Sequence, residues 1–134
     1  MNACVLDTDV VIAALDRADA YHRAAARGVR RLIDEEVALL LSLINYAETL
    51  VRPASDDATL RTAVAAIDAL GIQLRAPTPA IARDAARLRA LNISLADGFA
   101  LATARAHNAS VASFDRRVSR ATTAAGLELA PAFA

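Results

Sequence analysis

The 134-residue chain contains no lysine and no tryptophan, and its single cysteine is Cys4. The absence of lysine excludes every mechanism that needs a lysine amine, and all 15 basic residues are arginine. A lone cysteine excludes both a disulfide framework and a cysteine-based zinc site. Because Cys4 lies in the first apolar run, we expect it to be a small core residue.

Long hydrophobic runs are also missing, since Asp or Arg interrupts each one before the roughly 18 residues that a membrane-spanning helix needs. No basic segment precedes the first apolar run, so we expect no signal peptide, no membrane contact and a cytoplasmic location. Basic and acidic residues balance at 15 each. A net charge of zero is not typical of a tight nonspecific nucleic-acid binder, so any such contact should be local, with arginine gripping phosphate.

Short apolar runs alternate with amphipathic stretches along the chain, and 56% of the residues are hydrophobic. This length and composition predict one folded domain over residues 1–134. The predicted strands are 3–7, 37–41, 72–75, 110–113 and 127–129. The predicted helices are 8–15, 20–35, 43–51, 55–70, 79–91, 95–107 and 116–125. Such alternation is typical of an α/β fold with a central parallel sheet flanked by helices.

Acidic residues stand where chemistry is expected in such a fold. Asp7 and Asp9 follow the first predicted strand directly, at the kind of position where α/β folds place functional groups. Glu48, Asp97 and Asp115 occupy comparable element ends or an apolar helix face. Together these carboxylates predict a site for a hard cation with oxygen ligands, such as Mg²⁺ or Mn²⁺.

Three of these acids also have a purely structural interpretation as helix caps. Asp7 and Asp115 each precede a predicted helix directly, where a carboxylate accepts backbone N–H groups. Asp97 completes Ser94-x-x-Asp97, which matches a capping box. The sequence leaves both interpretations open for each residue.

Glu48 differs because it falls within an apolar stripe of the predicted helix 43–51. The apolar positions of that stripe are Ile44, Ala47 and Val51. This spacing predicts that Glu48 faces the core, where a carboxylate is costly unless it is paired or binds a metal. The structural alternative is an ion pair with Arg52.

The remaining polar residues near these acids are predicted to support the site. Asp9 could cap, ligate or hydrogen-bond the turn, and we favour the supporting role. Thr8 and Ser113 carry small hydroxyl groups that could orient Asp7, Asp115 or a bound water. Both hydroxyl residues are also ordinary in turns.

Four segments of the chain, in order, are VLDTDVVI at 5–12, NYAE at 45–48, LADGFALATA at 95–104 and VASFDRR at 111–117. They resemble the PIN domain, and within it the VapC-type toxins of toxin–antitoxin systems. The resemblance implies a metal-dependent endoribonuclease with an acidic quartet of Asp7, Glu48, Asp97 and Asp115, and it matches the family's site hydroxyl with Ser113. It also implies a parallel sheet with the quartet at the strand ends, a homodimer, and an antitoxin whose tail occupies the active-site groove.

The implied chemistry suits these side chains. Clustered carboxylates repel one another, and a bound Mg²⁺ or Mn²⁺ relieves the repulsion and activates water for attack on the phosphodiester. We expect Asp7 and Asp97 to be direct ligands, with Glu48 and Asp115 binding directly or through water. By analogy with other metal-dependent nucleases, the RNA products would carry 5′-phosphate and 3′-hydroxyl ends.

Three alternatives remain at this point. In a haloacid-dehalogenase-type phosphatase Asp7 would be a covalent nucleophile and Asp9 a general acid, but that family usually needs a lysine. A receiver-like phosphorylation switch also expects a lysine, and it needs an acid on a middle strand, which 37–41 does not contain. A catalytically silent PIN-fold binding module would keep the fold without metal binding.

Overall fold

The computed structural model describes residues 2–134 and contains a four-stranded parallel sheet. The strands are β1 Ala3–Leu6, β2 Ala38–Ser42, β3 Gln73–Arg75 and β4 Ser110–Ala112, and their order in the sheet is β3-β2-β1-β4. The seven α-helices of this region are α1 Thr8–Leu15, α2 His22–Asp34, α3 Leu43–Leu50, α4 Asp57–Ala69, α5 Pro79–Leu88, α6 Leu95–Ala106 and α7 Arg116–Ala124. None of these helices is long and apolar enough to cross a lipid bilayer.

Helices cover both faces of the sheet, so its central strands are apolar on both sides. Alternate residues of β1 enter opposite cores: Val5 packs with α5, α6 and α7, whereas Cys4 and Leu6 pack with α1, α2 and α4. On the first face, α5 and α6 approach so closely that a Cβ atom at Gly98 would lie 2.7 Å from the carbonyl oxygen of Ala85. Helices α5 and α6 therefore form a closely packed layer on this face of the sheet.

The parallel register brings the carboxyl ends of the strands to one edge of the sheet. Leu6, the last residue of β1, pairs with Ala112, the last residue of β4. Helices α1, α3 and α7 all begin within four residues of a strand end at this edge. Side chains at these junctions therefore lie close together although the chain separates them widely.

The α/β fold class with a central parallel sheet is confirmed, and most predicted elements are present. The predicted strand 127–129 is wrong: within the described part of the chain it makes one bridge, between Leu129 and Val111. The chain leaves this strand geometry at once, because Pro131 opens a short 3₁₀ turn over Pro131–Phe133. The predicted helix 79–91 is α-helical only to Leu88, and its last turn, Arg89–Leu91, is 3₁₀.

Candidate active site

Asp7 lies at the junction of β1 and α1 and is 3% exposed. Its backbone N–H donates to the carbonyl of Ala112 at 2.9 Å, which ties this junction to the end of β4. Its Oδ1 atom accepts the N–H of Thr8 at 2.9 Å, so Asp7 is the N-cap of α1. Its Oδ2 atom accepts the hydroxyl of Ser113 at 2.7 Å. Asp7 is thus both a helix cap and a member of the group of acids at the strand ends.

Ser113 links Asp7 with Asp115. The Ser113 Oγ atom donates to Asp7 and accepts the backbone N–H of Asp115 at 3.0 Å. Asp115 is exposed, and its own carboxylate caps α7 by accepting the N–H of Arg117 at 2.8 Å. The three residues form one hydrogen-bonded unit across two neighbouring strand ends.

Asp97 lies in the first turn of α6 and forms the capping box that the sequence indicated. Its N–H donates to the Ser94 hydroxyl at 3.1 Å, and its Oδ2 atom accepts the Ser94 N–H at 3.2 Å. Asp97 is only partly buried, yet its charge raises the pKa of both Asp7 and Asp9. Asp97 therefore both caps α6 and lies near enough to Asp7 and Asp9 for its charge to act on them.

The electrostatics of the cluster are dominated by burial and by repulsion between like charges. Burial raises the pKa of Asp7 to about 7, and the charges of Asp9 and Asp97 add to this rise. The hydrogen bonds that Asp7 accepts from Ser113 and Thr8 oppose it. A buried carboxylate in such surroundings favours either a proton or a cation.

Asp9 holds the segment that follows β4. One carboxylate oxygen accepts the backbone N–H of Phe114 at 3.1 Å, and the other is buried with no hydrogen-bond partner among residues 2–134. Burial raises the pKa of Asp9 to about 6, helped by the charges of Asp115 and Asp97 and opposed by the Phe114 hydrogen bond. Asp9 therefore supports the loop and also adds charge to the cluster.

The predicted burial of Glu48 is wrong. On α3 the buried residues are Asn45 and Thr49, whereas Glu48 and Ala47 are exposed and Val51 is 70% exposed. A different face of α3 is directed inward: Asn45 and Thr49 are buried, and Tyr46 and Leu50 pack against the apolar core. The core-facing argument for Glu48 therefore fails.

Glu48 nevertheless reaches the same edge of the sheet through a hydrogen bond. Its Oε1 atom accepts the Thr8 hydroxyl at 2.6 Å, although 40 residues separate the two in the chain. No ion pair formed within residues 2–134 contains Glu48 or Arg52. The structural alternative proposed for Glu48, pairing with Arg52, is therefore not realised.

Asn45 is a site residue that the sequence reasoning missed. It is fully buried, and its Nδ2 atom donates to the Thr8 hydroxyl at 3.0 Å and to the Ala96 carbonyl at 3.2 Å. Ala96 directly precedes Asp97, so Asn45 ties α1, α3 and α6 together beside two of the acids. The available signal was its place in the NYAE segment, three residues before Glu48.

The donor set fits a small hard cation surrounded mainly by water. The orphaned buried oxygen of Asp9 and the raised pKa of Asp7 both show negative charge without compensation. No three His, Cys, Asp or Glu side chains in the described chain form a group that could hold a metal ion by themselves. Mg²⁺ commonly binds through one or two carboxylates and keeps several waters, so this arrangement suits it.

A groove of about 410 Å³ borders the site at Glu48, between α1, α3 and α4. Its lining is mostly apolar, and its charged members are Asp16, Glu48 and Arg52. The groove thus joins a hydrophobic surface to one corner of the acidic cluster.

A family model described as "PIN domain" matches residues 4–123 of this chain. No curated protein sequence is significantly similar to it.

Several solved structures have folds similar to that of this chain over most of its length. VapBC2 from Rickettsia felis bound to a promoter DNA fragment has a TM-score of 0.72 at 15% identity, covering 96% of this chain and 97% of that chain. VapC20 of Mycobacterium tuberculosis, a sarcin–ricin loop cleaving toxin, has a TM-score of 0.70 at 18% identity, covering 88% and 94%. FitAcB from Neisseria gonorrhoeae has a TM-score of 0.71 at 22% identity, covering 96% and 97%. At these identities the likeness establishes the fold.

Proposed function

The chain belongs to the PIN domain family, and from this membership and its acidic site we propose that it is a metal-dependent endoribonuclease acting as the toxin of a type II toxin–antitoxin module. The observation that carries the proposal is the hydrogen-bonded unit of Asp7, Ser113 and Asp115 at adjacent strand ends. The charges of Asp9 and Asp97 act on the same carboxylate. A nuclease of this kind needs such a concentration of oxygen ligands at one point.

In this proposal Asp7 and Asp97 hold Mg²⁺ or Mn²⁺ directly, and Glu48 and Asp115 hold it directly or through water. The bound metal supplies Lewis acidity and lowers the pKa of a water molecule. Ser113 keeps the Asp7 Oδ2 atom in place by donating to it. Thr8 keeps the Glu48 carboxylate in place by donating its hydroxyl to Oε1. The Thr8 hydroxyl is itself positioned by Asn45, whose amide donates to it.

Neither a lysine amine nor a cysteine thiolate competes with water as the nucleophile at this site. The chain has no lysine, and burial raises the pKa of the Cys4 thiol to about 11, so that thiol stays protonated. The His22 ring hydrogen-bonds the Ala13 carbonyl at 2.7 Å. Attack by water that breaks the P–O3′ bond would leave a 5′-phosphate and a 3′-hydroxyl, the ends we expect by analogy with other metal-dependent nucleases.

The phosphatase alternative loses support because the chain belongs to a different family and contains no lysine. Its candidate general acid, Asp9, has one oxygen occupied by the Phe114 N–H.

The proposed partners are an RNA substrate, a cognate antitoxin and a second copy of the chain. The support for the antitoxin is that the solved relatives include VapBC and FitAB complexes. The mostly apolar groove beside Glu48 offers a surface on which an antitoxin tail could occlude the site. Co-expression with the adjacent reading frame, followed by size-exclusion chromatography, tests both the antitoxin and the dimer.

The central test is cleavage of total RNA by the purified chain, with 5′-phosphate ends mapped by ligation. We expect cleavage with Mg²⁺ or Mn²⁺, none in excess chelator, and none from Asp7→Asn. The matched control is Asp68→Asn, because Asp68 is an exposed acid on α4 outside the cluster. Equal cleavage in chelator, or an active Asp7→Asn protein, would contradict the proposal. Metal binding by calorimetry, compared with Asp97→Asn, separates a nuclease from a silent binding module.

A further inference from the structure

Three of the five aromatic residues of this chain form one continuous stack. The rings of Tyr21 and Phe114 are nearly parallel, with centroids 4.7 Å apart and an interplanar angle of 18°. The ring of Phe133 also packs against Phe114, with centroids 5.5 Å apart and an interplanar angle of 53°. Tyr21 ends the stack and is 54% exposed, and its hydroxyl has no hydrogen-bond partner in residues 2–134. A ring that served only the core would be more deeply buried.

The aromatic stack is connected to the acidic cluster through Phe114. Phe114 stands between Ser113 and Asp115, and its backbone N–H donates to Asp9 at 3.1 Å. Tyr21 lies directly against the ring of this residue. An aromatic surface is therefore attached to the same short segment that carries two residues of the proposed nuclease site.

Hydrogen bonds fix the backbone that carries Tyr21, and Phe114 packs against its ring, before any ligand arrives. The Tyr21 N–H donates to the Asp19 carboxylate at 2.8 Å, and the neighbouring His22 contacts the Ala13 carbonyl. Phe133 supports the far end of the stack by packing against Gly28, where an added Cβ would approach the ring to 2.4 Å. A surface fixed in this way loses little conformational entropy on binding.

Arginines flank the stack in the chain. Arg17 and Arg23 are four and two residues from Tyr21 in the chain, Arg116 and Arg117 follow Asp115, and all four are exposed. None of the four takes part in an ion pair formed within residues 2–134. Aromatic faces with nearby cations are the combination that binds single-stranded nucleic acid, since bases stack on the rings and phosphates meet the guanidinium groups.

We propose that Tyr21 is a stacking platform for an unpaired base of the RNA substrate, close to the scissile phosphate. This inference depends on the proposed ribonuclease function and deepens it by naming a side chain that would hold the substrate. Tyr21 is a positioning residue, because it orients the strand and leaves the reacting atoms to the carboxylates.

Steady-state cleavage of a random-sequence single-stranded RNA of about 20 nucleotides tests the platform. Tyr21→Phe keeps the ring, whereas Tyr21→Leu keeps apolar contact with Phe114 and removes the aromatic face. We expect the Phe variant to match wild type and the Leu variant to raise KM about tenfold with kcat within about twofold. The control is Ile33→Ala, a 45% exposed apolar residue at the opposite end of α2, which should change neither constant.

Abasic scanning of a cleaved oligonucleotide sharpens the test. Removing one base near the cleavage point should weaken wild-type cleavage, and the same removal should have no further effect on Tyr21→Leu. Thermal melting, followed by circular dichroism, checks that the Leu variant remains folded at the assay temperature. If Tyr21→Leu cleaves single-stranded RNA like wild type, or loses the same factor in kcat/KM on double-stranded and single-stranded RNA, the platform is wrong.

The two proposals fail in different ways. A wild-type chain that cleaves no RNA refutes the nuclease, and anisotropy with the same single-stranded probe then decides whether Tyr21 still binds it. Normal cleavage by Tyr21→Leu refutes only the platform. Normal cleavage combined with weaker inhibition by the antitoxin would reassign this surface to the protein partner and also overturn the inference.

Discussion

Replacing Asp7 with asparagine should stabilise the metal-free protein at about pH 8 while it abolishes RNA cleavage. Asp7 is 3% exposed, and burial, aided by the charges of Asp9 and Asp97, raises its pKa from 3.8 to about 7. The folded protein therefore holds this proton more tightly than the unfolded chain. It follows that the Asp7 contribution to stability is greatest below about pH 4 and is lost as the pH rises through about 7.

The size of the effect follows from the pKa difference and one hydrogen bond. A rise from 3.8 to about 7 corresponds to roughly 4 kcal/mol at high pH, part of which Asp7 shares with its neighbour Asp9. Asparagine can still accept the Thr8 N–H, but its amide nitrogen cannot accept the Ser113 hydroxyl, a loss of about 1 kcal/mol. We therefore expect a net gain of about 1–3 kcal/mol near pH 8 and a net loss of about 1 kcal/mol near pH 4.

Urea unfolding in chelator, followed by far-ultraviolet circular dichroism because the chain has no tryptophan, measures both values. Asp68→Asn is the control and should show no comparable change with pH, since Asp68 is exposed. Mg²⁺ should then stabilise wild type and leave Asp7→Asn unchanged. A variant whose stability relative to wild type is the same at both pH values would refute the reasoning that Asp7 is a destabilised buried carboxylate.

Three further substitutions probe how the site is held. Asn45→Ala removes the buried donor to Thr8 and Ala96, so urea unfolding should show a loss of about 2–3 kcal/mol and kcat should fall; no loss would mean that water replaces the amide. Gly98→Ala places a Cβ 2.7 Å from the Ala85 carbonyl oxygen and should cost at least about 2 kcal/mol in thermal melting, unless α5 and α6 separate freely. Ser113→Ala removes a hydrogen bond that lowers the pKa of Asp7, so the acidic limb of the pH–rate profile should move to higher pH. If the limb does not move, ionisation of Asp7 is not what determines it.

Helix starts could be predicted because a cap is an interaction between neighbours in the chain. Ser42, Thr78 and Ser94 each accept a backbone N–H two or three residues later, and each begins the helix that the sequence predicted there. The short strand 127–129 could not be judged in this way. Within residues 2–134 this segment forms a single bridge with β4, between Leu129 and Val111. The extent of such pairing depends on where the chain returns to the sheet, which a local pattern does not contain.

Helix faces were harder to predict, as α3 shows. Its apolar stripe predicted a core-facing Glu48, but the neighbouring helices present polar partners to Asn45 instead. A pattern within eight residues contains no information about what the opposite surface offers. Glu48 stays a candidate site residue on a different observation, because its carboxylate meets the cluster through the Thr8 hydroxyl.

By itself the sequence determined the alternation of the four strands with the seven helices of residues 2–134, several of the helix caps and the placing of acids at element ends, because these depend on hydrophobic periodicity and on contacts within a few residues. Only the tertiary structure decided which acids interact, how deeply Asp7 is buried and how Tyr21 joins the site. The hydrogen bond between Ser113 and Asp7 spans 106 residues of chain, and the raised pKa of Asp7 exists only once folding has removed water and brought Asp9 and Asp97 close. Burial and charge repulsion are properties of the assembled edge of the sheet, so no local pattern contains them.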